Sequence, residues 1–157
     1  MGLTYFDQDT TDLITFSFAV GGYENIAEAT SSGLEFEAQY QLTDWLSGTV
    51  NYANIDAEDG DGNRLVRVPE HSGNLSLAID PDGPWSGTVS LRYNGKERDA
   101  NGIVDSWTRV DLTARYALNS TTEIYGRIEN LFDENYQQIL GYGTPGTSGY
   151  LGVRLGF

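Results

Sequence analysis

Residues 34–42 read LEFEAQYQL, and every second side chain from Leu34 to Leu42 is apolar. The residues between them are Glu35, Glu37, Gln39 and Gln41, so one face of the segment is apolar and the other is charged or polar. Successive side chains of a β-strand point to opposite faces. This period of two therefore predicts a strand with one face turned away from water.

The same alternation recurs along the chain and predicts eight strands. They lie at 3–18, 34–42, 46–52, 75–79, 85–93, 109–118, 124–128 and 151–157. No segment of about ten or more residues has a convincing helical period. We therefore expect an all-β fold, an antiparallel up-and-down sheet of the kind that forms part of a transmembrane β-barrel.

The connections between these strands alternate between short and long. The short ones lie at 43–45, 80–84 and 119–120, and the long ones at 19–29, 56–70, 97–106 and 132–148. In an up-and-down sheet this places all short turns at one end and all long loops at the other. Outer-membrane barrels have that asymmetry, with short periplasmic turns and long extracellular loops.

The C-terminal residues give a second signal for a barrel. Leu151, Val153, Leu155 and Phe157 place an apolar residue at every second position, and the sequence given ends on the last of them. Terminal segments of soluble domains usually end in poorly ordered residues instead. The pattern resembles the assembly strand by which outer-membrane barrels are recognised, so we expect the barrel assembly machinery and outer-membrane lipid as partners.

Composition excludes other classes of protein. The chain has 157 residues and a net charge of -14, which repels nucleic acid, so no nucleic-acid partner is expected. No apolar run approaches the roughly 18 residues of a membrane helix. Alternation by itself also fits a soluble secreted β-sandwich or small barrel that binds carbohydrate or a small ligand, and this alternative stays open.

Several motifs resemble one family. Residues 32–35 (SGLE) resemble a strand opening, residues 65–71 (LVRVPEH) a strand entry after a long loop, and residues 129–136 (ENLFDENY) the NLFDxxY motif of TonB-dependent outer-membrane receptors. Residues 141–146 (GYGTPG) are similar to a loop of the cobalamin receptor type, although Thr147 stands where that type has arginine. The family-motif residues are Asn130, Leu131, Phe132, Asp133 and Tyr136.

The resemblance implies a receptor in the outer membrane of a Gram-negative bacterium that takes up a small-molecule nutrient, cobalamin or an iron siderophore. It implies that residues 1–157 are the C-terminal segment of a receptor β-barrel, with the plug domain and earlier strands absent. TonB would act through an N-terminal region that is also absent. Substrate contacts are expected in the loop segments 56–70, 97–106 and 137–148.

No set of residues predicts catalysis. The only histidine, His71, has no Ser or Cys partner at a recognisable spacing, so we expect neither an enzyme nor catalytic residues. No cofactor-binding or metal-ligating residue is assigned. Calcium in the 56–70 loop is the one candidate, because Asp59, Asp61 and Asn63 alternate and Glu70 falls at the twelfth loop position.

Overall fold

The computed structural model describes residues 1–17 and 19–156 and contains ten strands in that part of the chain. Their bounds are β1 Gly2–Ser17, β2 Gly22–Thr43, β3 Leu46–Asp59, β4 His71–Ile79, β5 Trp85–Asn94, β6 Glu97–Asp99, β7 Gly102–Val104, β8 Trp107–Ala117, β9 Thr122–Glu129 and β10 Ser148–Leu155. Within the same residues there is no helix long and apolar enough to cross a membrane.

Eight of the strands form one antiparallel sheet in the order β1-β2-β3-β4-β5-β8-β9-β10. The short strands β6 and β7 pair only with each other and form a hairpin in the connection between β5 and β8. This confirms the predicted all-β, up-and-down antiparallel fold. The strands β1 and β10 lie at the two edges, so over the described residues the sheet is open.

The register aligns side chains of like polarity across the sheet. Val50, Leu75, Leu91 and Val110 stand opposite one another on four neighbouring strands and define what we call the apolar face. The next row defines the polar face and consists of Asn51, Asn74, Arg92 and Arg109. A slip of one residue would move every apolar side chain to the other face, so the alternation fixes this register.

Within residues 1–17 and 19–156, no protein layer covers the apolar face. Leu34 is 47% exposed, Leu75 40% and Leu151 82%. A β-sandwich would cover such a face with a second sheet. A single sheet with an exposed apolar face is typical of a barrel wall that contacts lipid, and the soluble-sandwich alternative is therefore wrong.

The small core lies at the long-loop end of the sheet. The buried apolar residues of the described chain are Ala29, Ala57, Val104, Trp107 and Tyr136. Ala29 lies within β2 opposite the end of β3, Ala57 and Trp107 lie near the ends of β3 and β8, and Val104 and Tyr136 come from the β6–β7 hairpin and the last loop. Packing therefore stabilises the loops, whereas the sheet itself depends on main-chain hydrogen bonds and on the surroundings of its apolar face.

Loop boundaries are where the sequence prediction is corrected. The segment 19–29 was expected to be a loop, but β2 begins at Gly22 and pairs with β1, whose last paired residue is Ser17. Phe18, the predicted end of the first strand, lies outside the described residues. Residues 56–59 belong to β3, and the 97–106 segment contains the β6–β7 hairpin. These stretches contain isolated apolar residues such as Ala57 and Val104 but no sustained run of alternating apolar side chains, so the sequence pattern does not reveal that their main chains pair.

Close contacts explain some of the strand glycines. A Cβ on Gly33 would clash with the main-chain oxygen of Asn54 and would come within 3.0 Å of the Phe6 ring. Gly152 in β10 lies beneath the ring of Tyr125, which stands opposite it on β9. Rings that cover glycines on a neighbouring strand restore packing that glycine cannot supply.

Candidate functional site

The last loop, residues 130–147, is anchored at its base by Asn130. This residue is 2% exposed and has a φ of 53°, in the left-handed region that asparagine tolerates better than most residues. Its Oδ1 accepts a hydrogen bond from the Glu134 amide over 2.8 Å, and its Nδ2 donates to the carbonyls of Glu134 and Pro145 over 2.9 and 3.3 Å. One buried amide therefore joins the two ends of the loop.

Asp133 and Thr147 close the same base. The Thr147 amide donates to Asp133 Oδ1 over 2.9 Å, and the Thr147 hydroxyl donates to the Asn130 carbonyl over 2.7 Å. Leu131 continues the β8 pairing by donating from its amide to the Val110 carbonyl over 2.8 Å. The residue that departs from the cobalamin-type loop, Thr147, therefore has a structural role here that the sequence did not suggest.

The loop is folded onto the polar face through Tyr136. Arg109 donates from Nη1 to the Tyr136 hydroxyl over 3.0 Å, and from Nη2 to Asp111 Oδ2 over 2.8 Å. The other oxygen of Asp111 accepts from the Asn130 amide over 2.9 Å. The Tyr136 ring packs on Trp107 with their centroids 4.5 Å apart. The structure thus brings Asn130, Asp133 and Tyr136 into one network with β8.

Phe132 does not join that network. Its side chain is 75% exposed, although it belongs to the same family motif. The structure places it at the surface of the loop base, where it contributes nothing to the buried anchor.

Asp99 joins three loops. It is 4% exposed, and its Oδ1 accepts from the Ala100 amide over 2.7 Å and from Arg67 Nε over 3.2 Å. Its Oδ2 accepts from the Leu140 amide over 2.8 Å. The Leu140 and Ala100 amides, followed by the Arg67 guanidinium, hold the pKa of Asp99 below its ordinary value. The 60–70 loop, the β6–β7 hairpin and the last loop therefore meet at one carboxylate.

A cavity of about 640 Å³ lies between the 60–70 loop and the β6–β7 hairpin. It is lined by Gly62, Asn63, Arg64, Val68, Glu70, Lys96, Glu97, Arg98 and Ile103. Burial raises the pKa of Glu97, although a hydrogen bond from Asn94 opposes this shift. Two of the three segments predicted to contact substrate thus form a single cavity.

The carboxylates of the predicted calcium loop have other partners. Asp59 Oδ1 accepts from the amides of Asp61 and Asn63 over 3.0 and 2.8 Å, and the Asn63 contacts in particular lower the pKa of Asp59. Glu70 pairs with Arg64 over 3.2 Å. Among the described residues, no group of three or more acidic, His or Cys side chains is arranged to hold a metal ion. Calcium binding in the 56–70 loop stays a prediction.

The predicted assembly strand lies on the apolar face of β10. Leu151, Val153 and Leu155 are 82%, 59% and 60% exposed, and Phe157 lies outside the described residues. On the polar face of the same strand, Arg154 pairs with Glu123 over 3.1 Å. The apolar row is therefore free to contact lipid or another protein.

This single sheet with an exposed apolar face, a charged opposite face and long loops gathered at one end defines the wall of an outer-membrane barrel. The sequence profile of the TonB dependent receptor-like, beta-barrel family matches residues 1–131. The chain belongs to this family, which confirms the predicted resemblance and the predicted location in a Gram-negative outer membrane.

The relatives that the chain resembles in sequence are named for different substrates. The chain is 31% identical over 153 residues to the metal-pseudopaline receptor CntO of Pseudomonas aeruginosa, and this alignment covers 88% of this chain and 22% of that protein. It is 28% identical over 162 residues to the vitamin B12 transporter BtuB of Vibrio cholerae, and this alignment covers 96% of this chain and 26% of that protein. The chain thus spans about a quarter of the length of these relatives.

Solved structures share the fold. The ferric-catecholate import receptor Fiu from E. coli superposes with a TM-score of 0.81 and 19% identity, over 99% of this chain and 25% of that one. At this identity the likeness establishes the fold alone.

Proposed function

We propose that the chain forms part of the wall and the outward loops of a receptor that takes up a scarce small-molecule nutrient, cobalamin or an iron or other metal chelate. Membership of the TonB dependent receptor-like family supports this most directly. In this proposal the apolar face contacts outer-membrane lipid, and the polar face lines a wide, hydrated lumen. Charges such as Arg92 and Asp111 are then not stranded without water, which would otherwise be costly.

The arrangement of the loops supports a role in substrate contact. Asp99 ties the 60–70 loop, the hairpin and the last loop together, and Asn130 holds the two ends of the last loop. A joined set of loops at the mouth of a lumen offers a ligand a preorganised surface, and preorganisation lowers the entropic cost of binding. Recognition would be shared with strands and a plug domain supplied by residues outside this chain.

Three partners belong to the same proposal. TonB would supply energy through a region outside this chain, as the family name indicates. The barrel assembly machinery would recognise the β10 row of Leu151, Val153 and Leu155 together with Phe157. No enzymatic activity is proposed, because the family consists of transport receptors.

An uptake assay tests the proposal. It compares the accumulation of labelled cyanocobalamin and of labelled ferric chelates in cells that carry the full-length protein and in cells that lack it. We expect one of these ligands to accumulate only when both the protein and a functional TonB are present. A tonB-deficient strain is the matched control. Uptake that is unaffected by loss of the protein, for every ligand class, would refute the proposed function.

A further inference from the structure

We propose that the cavity between the 60–70 loop and the β6–β7 hairpin is an anion-binding subsite in which Arg98 receives a carboxylate, phosphate or phenolate group carried on an apolar body. The inference deepens the proposed function and rests on it for the identity of the bound molecule as a nutrient. The subsite itself is defined by the side chains that follow.

The β6–β7 hairpin has one buried and one open face. Glu97, Asp99 and Val104 are 8%, 4% and 2% exposed and attach the hairpin to the rest of the protein. Alternation along β6 places Arg98 on the opposite face, directly across from Ile103, which is 58% exposed. Both residues line the cavity. The buried face of the hairpin therefore packs against the rest of the protein, and its open face places the Arg98 guanidinium beside the apolar side chain of Ile103.

Among the described cations of this region, Arg98 is the one that forms no ion pair with a carboxylate, although its charge contributes to lowering the pKa of Asp59. The other three cations form four ion pairs, which are Arg64 with Asp56 and Glu70 at 3.4 and 3.2 Å, Arg67 with Asp99 at 3.1 Å, and Lys96 with Asp105 at 3.5 Å. Within the part of the chain that the structure describes, the only hydrogen bond of the Arg98 guanidinium is a long one, 3.5 Å from Nη1 to the Arg64 carbonyl. Its donors are thus available to a ligand.

The walls of the cavity indicate which anion fits. Val68 and Ile103 supply apolar surface, while Arg98 supplies a planar donor that matches two oxygens of a carboxylate or phosphate. The volume of about 640 Å³ lies in the range of small-molecule sites. An anionic oxygen group on an aromatic or aliphatic body suits these two walls, while the lining carboxylates are accounted for because Glu70 is paired with Arg64 and Glu97 is 8% exposed. Such a group could come from a dissolved nutrient or from a lipid headgroup of the outer leaflet.

The experiment uses the full-length protein, purified in detergent, and two separate probes. The iron(III) complex of 2,3-dihydroxybenzoate represents a dissolved anion, and lipid A in mixed micelles represents the lipid source. The variants are R98Q, which removes the charge, R98K, which keeps it, and R115Q. Arg115 in β8 also has no carboxylate partner among the described residues, but it does not line the cavity, so R115Q is the matched control.

We expect R98Q to weaken binding by about tenfold or more, because hydrogen bonds to charged groups are among the stronger ones. R98K should stay within about threefold of the wild type at low salt, and R115Q should be unchanged. If R98Q binds the iron complex more weakly than the wild type, the subsite is assigned to a dissolved anion. If R98Q weakens the binding of lipid A alone, the subsite is assigned to the lipid. Equal affinity of wild type and R98Q for both probes overturns the proposal, as does an equal loss in R115Q.

The failure of the subsite can be told apart from failure of the proposed function. If the wild type supports no TonB-dependent uptake but R98Q still weakens anion binding, the subsite stands and the transport proposal fails. If uptake occurs and R98Q binds like the wild type, the subsite fails alone.

Discussion

Replacing Asn130 by alanine should release the last loop from the barrel wall. The variant removes a buried amide that joins both ends of the loop, and it leaves the Glu134 amide and two carbonyls without their partner. The strands β8 and β9 keep their own main-chain pairing. We therefore expect local opening of residues 131–147 and little effect elsewhere.

The size of the effect follows from the geometry. The two short hydrogen bonds of Asn130, at 2.8 and 2.9 Å, are worth about 1 kcal/mol each, and the bond at 3.3 Å about half of that. A φ of 53° costs alanine about 1 kcal/mol more than asparagine. The free energy of loop opening should fall by about 3 to 4 kcal/mol, or roughly 100- to 1,000-fold in the opening equilibrium. Asn130→Gly avoids the backbone term and should lose about 1 kcal/mol less.

Amide hydrogen exchange measured by mass spectrometry on the full-length protein checks this prediction. Peptides from 131–147 report on the loop, and peptides from β3 serve as the internal reference. The expected order of exchange rates in the loop is N130A above N130G above wild type, with β3 unchanged. Loop exchange in N130A within threefold of the wild type, or equal acceleration in β3, would refute the anchoring role of Asn130.

Four further predictions concern three other sites, Asp99, Gly33 and Asp59. D99N should speed amide exchange in all three joined loops, whereas R67Q should do so mainly in the 60–70 loop; acceleration in a single loop for D99N would contradict the shared anchor. The pKa of Asp99 in the folded protein lies below the ordinary value of 3.8, so the stability that ionised Asp99 gives the loops should be complete above pH 3.8 and should be lost as the pH falls through the lower, folded pKa. D99N should not show this acid-induced loss of loop protection. G33A should lower the thermal midpoint, since its Cβ meets a main-chain oxygen, while G149A, whose Cβ meets nothing within 4 Å, should not; equal midpoints would count against the tight β2–β3 packing. Calcium binding in the 56–70 loop would require Asp59 to exchange its amide donors for the ion, so a calcium titration in which D59N matches the wild type would exclude that site.

The sequence predicted the membrane-crossing parts of the strands well. β5 was expected at 85–93 and is Trp85–Asn94, and β8 was expected at 109–118 and is Trp107–Ala117. Lipid on one face and a polar space on the other impose the alternation there. The first part of β2 was missed because residues 22–33 have no sustained run of alternating apolar residues, although their main chain pairs with β1.

The site was predictable only where it resembled the family. Asn130 was identified through its motif, but its buried amide and left-handed backbone could be seen only in the structure. Asp99 carried no signal, because its partners Arg67 and Leu140 lie 32 and 41 residues away and the latter donates from its main chain. Contacts between distant loops through main-chain amides leave no trace in residue types.

The length of the β1–β2 hairpin has a practical consequence for protein engineering. β2 has 22 residues, so it extends for about 70 Å, whereas a tilted strand crosses the bilayer in about ten residues. Around its tip, exposed side chains such as Tyr23 and Glu24 are attached to a ribbon that main-chain hydrogen bonds hold together. The Tyr23 ring packs edge to face against Phe16 with the centroids 5.5 Å apart, but the buried core of the described residues contains none of the residues of this tip. The turn at residues 19–21 is thus a place where an epitope tag or a fluorophore could be inserted without disturbing the rest of the wall.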